Sequence, residues 1–193
     1  MSERFDQSYY QRFYENPDTR AGTVVSARRQ AMFIHAYLNY LNLRVNRIID
    51  LGCGLGRQLR ALQRLWPRAR CVGVELSPYL CERYGWQRGS VVDYHDDPFD
   101  LLVCSDVLSY LDEADCSKAL RNIARLTTGA AFIGLITEED RAICDFQRTD
   151  RHQHLRPAAW YRRRLGRDFQ AIGGGLYLRN TLPVNLWAME KGR

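Results

Sequence analysis

A chain of 193 residues has the length of one domain and can bury a core without disulfides or a structural metal. With 46% hydrophobic and 26% charged residues, it is not disordered, collagen-like or low-complexity. The net charge of +6 would suit an acidic partner. The cations are scattered arginines, however, with lysine only at Lys118 and Lys191, and the one dense run, Arg162-Arg163-Arg164, reads as a solvated face. A nucleic-acid partner is therefore not expected.

No apolar run approaches the roughly 20 residues that span a bilayer, and the charged start, Met1 to Asp6, lacks an apolar leader core. No membrane association is expected, and the cytoplasm is the expected location. Cysteines 53, 71, 81, 104, 116 and 144 include no pair at zinc-ribbon or redox spacing. Several lie in apolar runs as small hydrophobes, so free thiols and no metal are expected.

The aromatic and polar stretch from Phe5 to Thr19 comes first. Val24, Ala27, Ala31, Ile34, Leu38 and Leu41 then recur at spacings of three and four, which predicts a helix over about residues 22–41. Arg47 to Leu51 reads as a buried strand ending in glycines. Leu55, Leu59, Leu62 and Trp66 give a helical stripe stopped by Pro67, and Cys71 to Glu75 a second strand. Ser77-Pro78 opens a helix that Gly85 closes. Ser90-Val91-Val92 reads as a third strand and Phe99 to Cys104 as a fourth. Asp112 caps a helix with stripe Cys116, Leu120, Ile123 and Leu126/Thr127, and Ala130 to Ile136 is a fifth strand. Pro157 opens a last helix carrying Ala158, Tyr161 and Leu165. Two final strands, near Phe169–Leu178 and Val184–Glu190, flank a hairpin signal from Asn180 to Pro183. Strands alternating with helices predict an α/β, doubly wound, seven-stranded and mostly parallel sheet with an antiparallel C-terminal hairpin. One domain spans 1–193: an N-terminal segment and helix (1–45), the alternating strands and helices (46–137), then a long loop, a helix and the hairpin (138–193).

Chemistry concentrates in Asp50-Leu51-Gly52-Cys53-Gly54-Leu55-Gly56. Glycines after a strand let the backbone turn tightly beside a ligand at the carboxyl edge of the sheet. Arg57 stands where a dinucleotide-binding loop needs its third glycine, which argues against NAD and FAD, and no Gly-Lys-Ser/Thr follows, which excludes a phosphate loop of the Walker type. Glu75 ends the next strand, where a carboxylate can accept both hydroxyls of a ribose.

Four ordered segments make residues 47–137 resemble the class I S-adenosylmethionine-dependent methyltransferases of the small-molecule type. These are Asp50 to Gly56, Val74-Glu75-Leu76-Ser77, Gly89-Ser90-Val91-Val92-Asp93, and Phe99 to Leu108 with the Leu108–Leu111 element after it. The resemblance implies a Rossmann-like methyltransferase fold with an N-terminal helical lid. It also implies S-adenosyl-L-methionine as cofactor and S-adenosyl-L-homocysteine as product. Asp50 would organise the loop, with Gly52, Cys53 and Gly54 under the methionine part and Gly56 also binding the cofactor. Glu75 would bind the ribose and Leu76 flank the adenine. Asp93 would accept from the adenine amino group beside Tyr94, and Cys104 and Ser105 would border the site. The N-terminal segment would close on the methionine end, bringing Tyr10, Arg12 and Tyr14 to it. An Asn- or Asp-Pro-Pro-Tyr motif is absent from the fourth-strand segment, so base or glutamine methylation is not indicated.

The leading function is therefore methylation of a small molecule. RNA or protein methylation and a non-catalytic cofactor-binding module are the alternatives. The long loop from Thr137 to Arg156 holds His152 and His154, the candidate bases, with Asp106 and Tyr110 after the fourth strand as the fallback. Its arginines suggest an acidic acceptor.

Overall fold

The computed structural model describes residues 5–19, 23–145, 148–150 and 152–186. Its strands are β1 (Arg47–Leu51), β2 (Arg70–Glu75), β3 (Gln87–Arg88), β4 (Phe99–Ser105), β5 (Thr127–Gly134), β6 (Phe169–Gly173) and β7 (Leu176–Arg179). The helices are α1 (Gln7–Tyr10), continued by a π-turn over Gln11–Glu15, then α2 (Val24–Tyr40), α3 (Arg57–Leu65), α4 (Pro78–Tyr84), α5 (Glu113–Leu126) and α6 (Ala158–Leu165). Seven strands form one sheet in the order β3-β2-β1-β4-β5-β7-β6. β1 to β5 pair in parallel, and β7 runs against both of its neighbours.

The central strands are apolar on both faces because both faces are covered. Successive residues point to opposite sides. Ile49, Leu102, Cys104, Ala131 and Ile133 pack with Cys116, Ile123, Tyr161 and Leu165 of α5 and α6. Ile48, Leu101, Val103, Ala130 and Phe132 pack with Ile34 and Leu38 of α2 and with Leu59 and Leu62 of α3. Each fully buried leucine or isoleucine contributes roughly 1.5–3 kcal/mol. The single change of direction, from β1 outward to β2 and β3 and then back to β4, opens a crevice above the carboxyl ends of β1 and β4.

Three local expectations are corrected. Ser90-Val91-Val92 is not a strand: the third strand is the pair Gln87–Arg88, bonded to Val74 and Glu75, while 91–93 form a turn. Asn122 of α5 ties that turn down through the Val91 and Tyr94 carbonyls (both 3.0 Å), and Val91 is buried in the core with Val92 and Tyr94 packed against it. The closing hairpin turns inside the stretch read as one strand, at Gly173-Gly174-Gly175. All three residues have positive φ (96°, 58° and 81°), which glycine adopts freely, and the ring of Phe33 fills the place of a Gly174 side chain. Residues 180–182 make only a turn and 183–186 are irregular; the rest of the strand expected to Glu190 lies outside the described residues. The Ser77 hydroxyl does not cap α4; it donates to the Phe5 carbonyl.

Candidate active site

The glycine loop leaves β1 with Gly52 at φ 76°, a left-handed turn, and the Gly52 and Cys53 amides donate to the Val74 carbonyl (2.8 and 3.1 Å). A side chain at Gly52 would stand 2.3 Å from Val107, which comes from the loop after β4. The loop is tied to the end of β2 by Glu75, which is 5% exposed. Glu75 Oε2 accepts the Gly54 amide (2.8 Å), and Oε1 accepts the Leu76 and Ser77 amides (2.8 and 3.0 Å). The Tyr10 phenol donates to Oε1 over a longer 3.4 Å.

Beneath the loop, Asp50 is 4% exposed. Burial, and then the nearby Glu75 charge, push its pKa up to about 7. Asp106 after β4 holds a left-handed φ of 58°, tolerated by aspartate better than by bulkier residues. Its amide donates to the Gly134 carbonyl (2.8 Å). The residue is open to the cleft, yet enough protein crowds the carboxyl that desolvation raises its pKa above the usual carboxylate range.

Two cavities meet over the loop. The first, about 680 Å³, runs from Glu75, Leu76 and Gly89–Val91 to Tyr110 and Leu111 under Phe5, Tyr9 and Tyr10. The second, about 1070 Å³, is walled by Thr23, which caps α2, by Ser26 and Gln30 of α2, by Arg57 and Gln58 of α3, and by Gly134–Ile136. Tyr14, Gly52, Gly54, Ser105 and Asp106 border both. A group held in the first cavity can therefore reach a molecule in the second only past these five.

The N-terminal segment lies on the first cavity. Tyr9 and Tyr110 share a hydroxyl hydrogen bond (2.9 Å), the Phe5 ring stands edge-on to Tyr110, and Arg57 donates to the Tyr14 carbonyl (2.8 Å). Burial raises the pKa values of Tyr9, Tyr10 and Tyr14, so their phenols stay protonated donors.

Of the residues expected at the site, Tyr10, Tyr14, Gly52, Gly54, Glu75, Leu76, Ser105, Asp106 and Tyr110 line the first cavity, and Asp50 and Cys53 border the second. Gly56 caps α3 beneath the Trp86 ring. Six others are not brought to the cleft. Asp93 is exposed on the turn after Ser90. Tyr94 is turned to Gln87 and Asp96, its carbonyl held by Asn122 and Arg125. Cys104 is 0% exposed within the core. Arg12 is exposed, with its guanidinium over Phe13. His152 pairs with Asp150 (3.0 Å) while its side chain is 78% exposed. His154 lines a separate cavity over the long loop, with Arg141, Asp150 and Gln153.

That loop is placed by Arg156, which is 8% exposed and donates to the carbonyls of Leu108, Leu111 and His154 and to the Tyr161 hydroxyl. Arg156 therefore staples the loop rather than clamping an acceptor, and Arg148 pairs with Asp145 at the surface. Trp160 is engaged by Glu113 and stacked under Arg164, Tyr161 is buried, and Arg151 lies outside the described residues. Sequence reasoning missed Arg57 and Gln58 as cavity walls and Trp86, whose indole donates to the Gly54 carbonyl (3.0 Å). Position directly after the glycine loop was the available signal for the first two; nothing local marked Trp86.

The sheet order, the loop and the acid at the end of β2 define the class I S-adenosylmethionine-dependent methyltransferase fold. Residues 25–173 match the family model described as a methyltransferase domain, and the chain belongs to that family. Over 91 residues it is 34% identical to trans-aconitate 2-methyltransferase of Pseudomonas paraeruginosa, covering 43% of this chain and 33% of that protein. Over 55 residues it is 42% identical to malonyl-[acyl-carrier protein] O-methyltransferase of Legionella pneumophila, covering 26% and 19%. The chain thus spans less than half the length of the curated relatives it matches. The crystal structure of magnesium protoporphyrin IX methyltransferase from Synechocystis, with bound SAH, superposes with a TM-score of 0.65 at 15% identity, covering 93% of this chain and 98% of that one.

Proposed function

We propose that this chain transfers a methyl group from S-adenosylmethionine to a small acceptor bearing a carboxylate. The observation that carries the reading is the glycine loop tied, through the Gly54 amide, to the buried Glu75 carboxylate in a methyltransferase-family sheet. The cleft suits that cofactor on three counts. Glu75 already receives a hydroxyl, that of Tyr10, at a distance that a ribose hydroxyl would shorten. Ser105 Oγ and Gln58 Nε2 are buried without a hydrogen-bond partner among the described residues, and both border the second cavity. Glu75, with the carboxyl groups of Asp50 and Asp106 near it, places negative charge where a positive sulfonium would lie.

Bound there, S-adenosylmethionine supplies a methyl on a positively charged sulfur, open to displacement by an aligned nucleophile. Glu75 would hold the ribose hydroxyls and Leu76 the edge of the adenine, while Gly52 and Gly54 pass beneath the methionine part. The segment 5–19 would close over it as a lid. At the junction, Tyr14, Ser105 and Asp106 would set the direction in which the acceptor approaches.

Support for an acidic acceptor comes from two sides. The relatives named above carry trans-aconitate and malonyl in their names, both carboxylate-bearing groups. Arg57 brings a guanidinium to the second cavity. A carboxylate is already ionised at neutral pH and needs no general base, which fits the absence of His152 and His154 from the cleft.

Two measurements test the reading. Calorimetric titration with S-adenosylhomocysteine should show binding at one site. Labelled methyl from S-adenosylmethionine should pass to members of a panel of small di- and tricarboxylates, and not to the same compounds blocked as esters. Transfer to amines alone, or to RNA, would overturn the acceptor class; absence of binding would overturn the cofactor.

A further inference from the structure

The peptide units of the glycine loop are held from behind by a residue outside every motif. Trp86 follows the αL glycine that ends α4, and its indole lies between the start of α3 and the middle of β2. A side chain at Gly56 would meet the Trp86 ring at 2.3 Å, and one at Gly73 would meet it at 2.6 Å. Gly73 is therefore glycine because an indole occupies the space of its side chain, the close approach that a glycine inside a strand commonly marks. The Nε1–H donates to the Gly54 carbonyl (3.0 Å), while the amide of the same residue donates to Glu75 Oε2 (2.8 Å). Beside it, the Arg60 guanidinium stacks near both the Tyr84 and Trp86 rings (5.6 and 5.9 Å) and donates to the Leu55 carbonyl.

We infer that Trp86 is a positioning residue for the cofactor: with Glu75 it clamps Gly54 at both its amide and its carbonyl. This inference rests on the cofactor reading above. Glycine rotates at little cost, so a loop with glycine at 52, 54 and 56 would sample shapes with the Gly54 carbonyl turned into the cleft. Each competing shape lowers affinity in proportion to its population. Indole and carboxylate together remove those shapes before the cofactor arrives, and the ordering is paid in the folding of the chain rather than in binding.

The test uses S-adenosylhomocysteine on the full chain. Trp86→Phe keeps a ring over Gly56 and Gly73 and deletes only the donor. Its affinity should fall about five- to tenfold, the size of one lost hydrogen bond, with the ligand-free melting temperature within a few degrees of wild type. Affinity within twofold of wild type overturns the inference, whatever happens to stability, while the cofactor reading stands on the binding of the wild-type chain. Should wild type itself not bind, both fall together. If Trp86→Phe does not fold, emission decides. In a chain whose other three tryptophans are phenylalanine, saturating S-adenosylhomocysteine should shift Trp86 emission with the calorimetric Kd as its midpoint. Emission indifferent to saturating ligand overturns the inference.

Discussion

Glutamine copies the shape of Glu75 but makes one of its two terminal atoms a donor. In the native chain Oε2 receives Gly54 N–H at 2.8 Å, and Oε1 receives Leu76 and Ser77 N–H at 2.8 and 3.0 Å. Either orientation of the amide in Glu75→Gln therefore sets an NH₂ group against a backbone N–H, at a residue only 5% exposed. A hydrogen bond to a charged group is worth roughly 1.5–3 kcal/mol, and a buried donor left unpaired costs a similar amount. Removing the Glu75 charge also relieves Asp50, whose pKa it helps to raise, which returns part of the loss. A net destabilisation of about 2–3 kcal/mol follows, and at roughly 2–4 °C per kcal/mol for a domain of this size the melting temperature should drop by about 4–12 °C. Binding should suffer separately, because the ribose hydroxyls lose a charged acceptor: about ten- to a hundredfold in Kd for S-adenosylhomocysteine. Scanning and titration calorimetry on the same preparation read both quantities. A Glu75→Gln chain that melts lower yet binds within twofold of wild type would refute the ribose assignment and leave Glu75 a purely structural anchor of the loop.

Three further outcomes are expected. Asp50, raised to about 7 from about 3.9 in the unfolded chain, binds its proton more tightly when folded. Its burial therefore costs nothing below about pH 4 and progressively more as pH rises to about 7, up to about 4 kcal/mol, then levels off. Asp50→Asn should accordingly gain stability over wild type across that window in scanning calorimetry at stepped pH, and a difference independent of pH would contradict the argument. Hydrogen exchange should slow in residues 5–19 when S-adenosylhomocysteine binds; unchanged exchange there would remove the lid. Once an acceptor is known, His152→Ala and His154→Ala should turn over within a few-fold of wild type and Asp106→Ala should lose most activity. Normal turnover by Asp106→Ala would remove Asp106 from the chemistry.

The strands from β1 to β5, excepting β3, and the helices between them were legible because each carries its own pattern. The apolar runs of Arg47–Leu51 and Phe99–Ser105 mark strands buried on both faces, and the stripe Cys116, Leu120, Ile123 marks one covered helix face. The glycine loop and Glu75 were legible for the same local reason, a turn that only glycine makes followed by an acid at the next strand end. What failed was whatever a distant contact decides. Val91 and Val92 have strand propensity, but Asn122, reached only through the fold, holds the Val91 carbonyl in a turn, and the strand slips back to Gln87–Arg88. Asp93 and Tyr94 leave the cleft with it. His152 and His154 sit in a loop with no periodicity, whose path is set by Arg156 bonding to Leu108 and Leu111. Trp86 shows nothing in its neighbourhood of sequence, because its partners, Gly54, Gly56 and Gly73, come together only when β2 and α3 pack. Local pattern thus determined the sheet and the cofactor loop, since period and φ restrictions act within a few residues. Tertiary contact decided which side chains face the cleft, since a side chain's direction in a loop depends on the groups that satisfy its backbone from elsewhere in the chain.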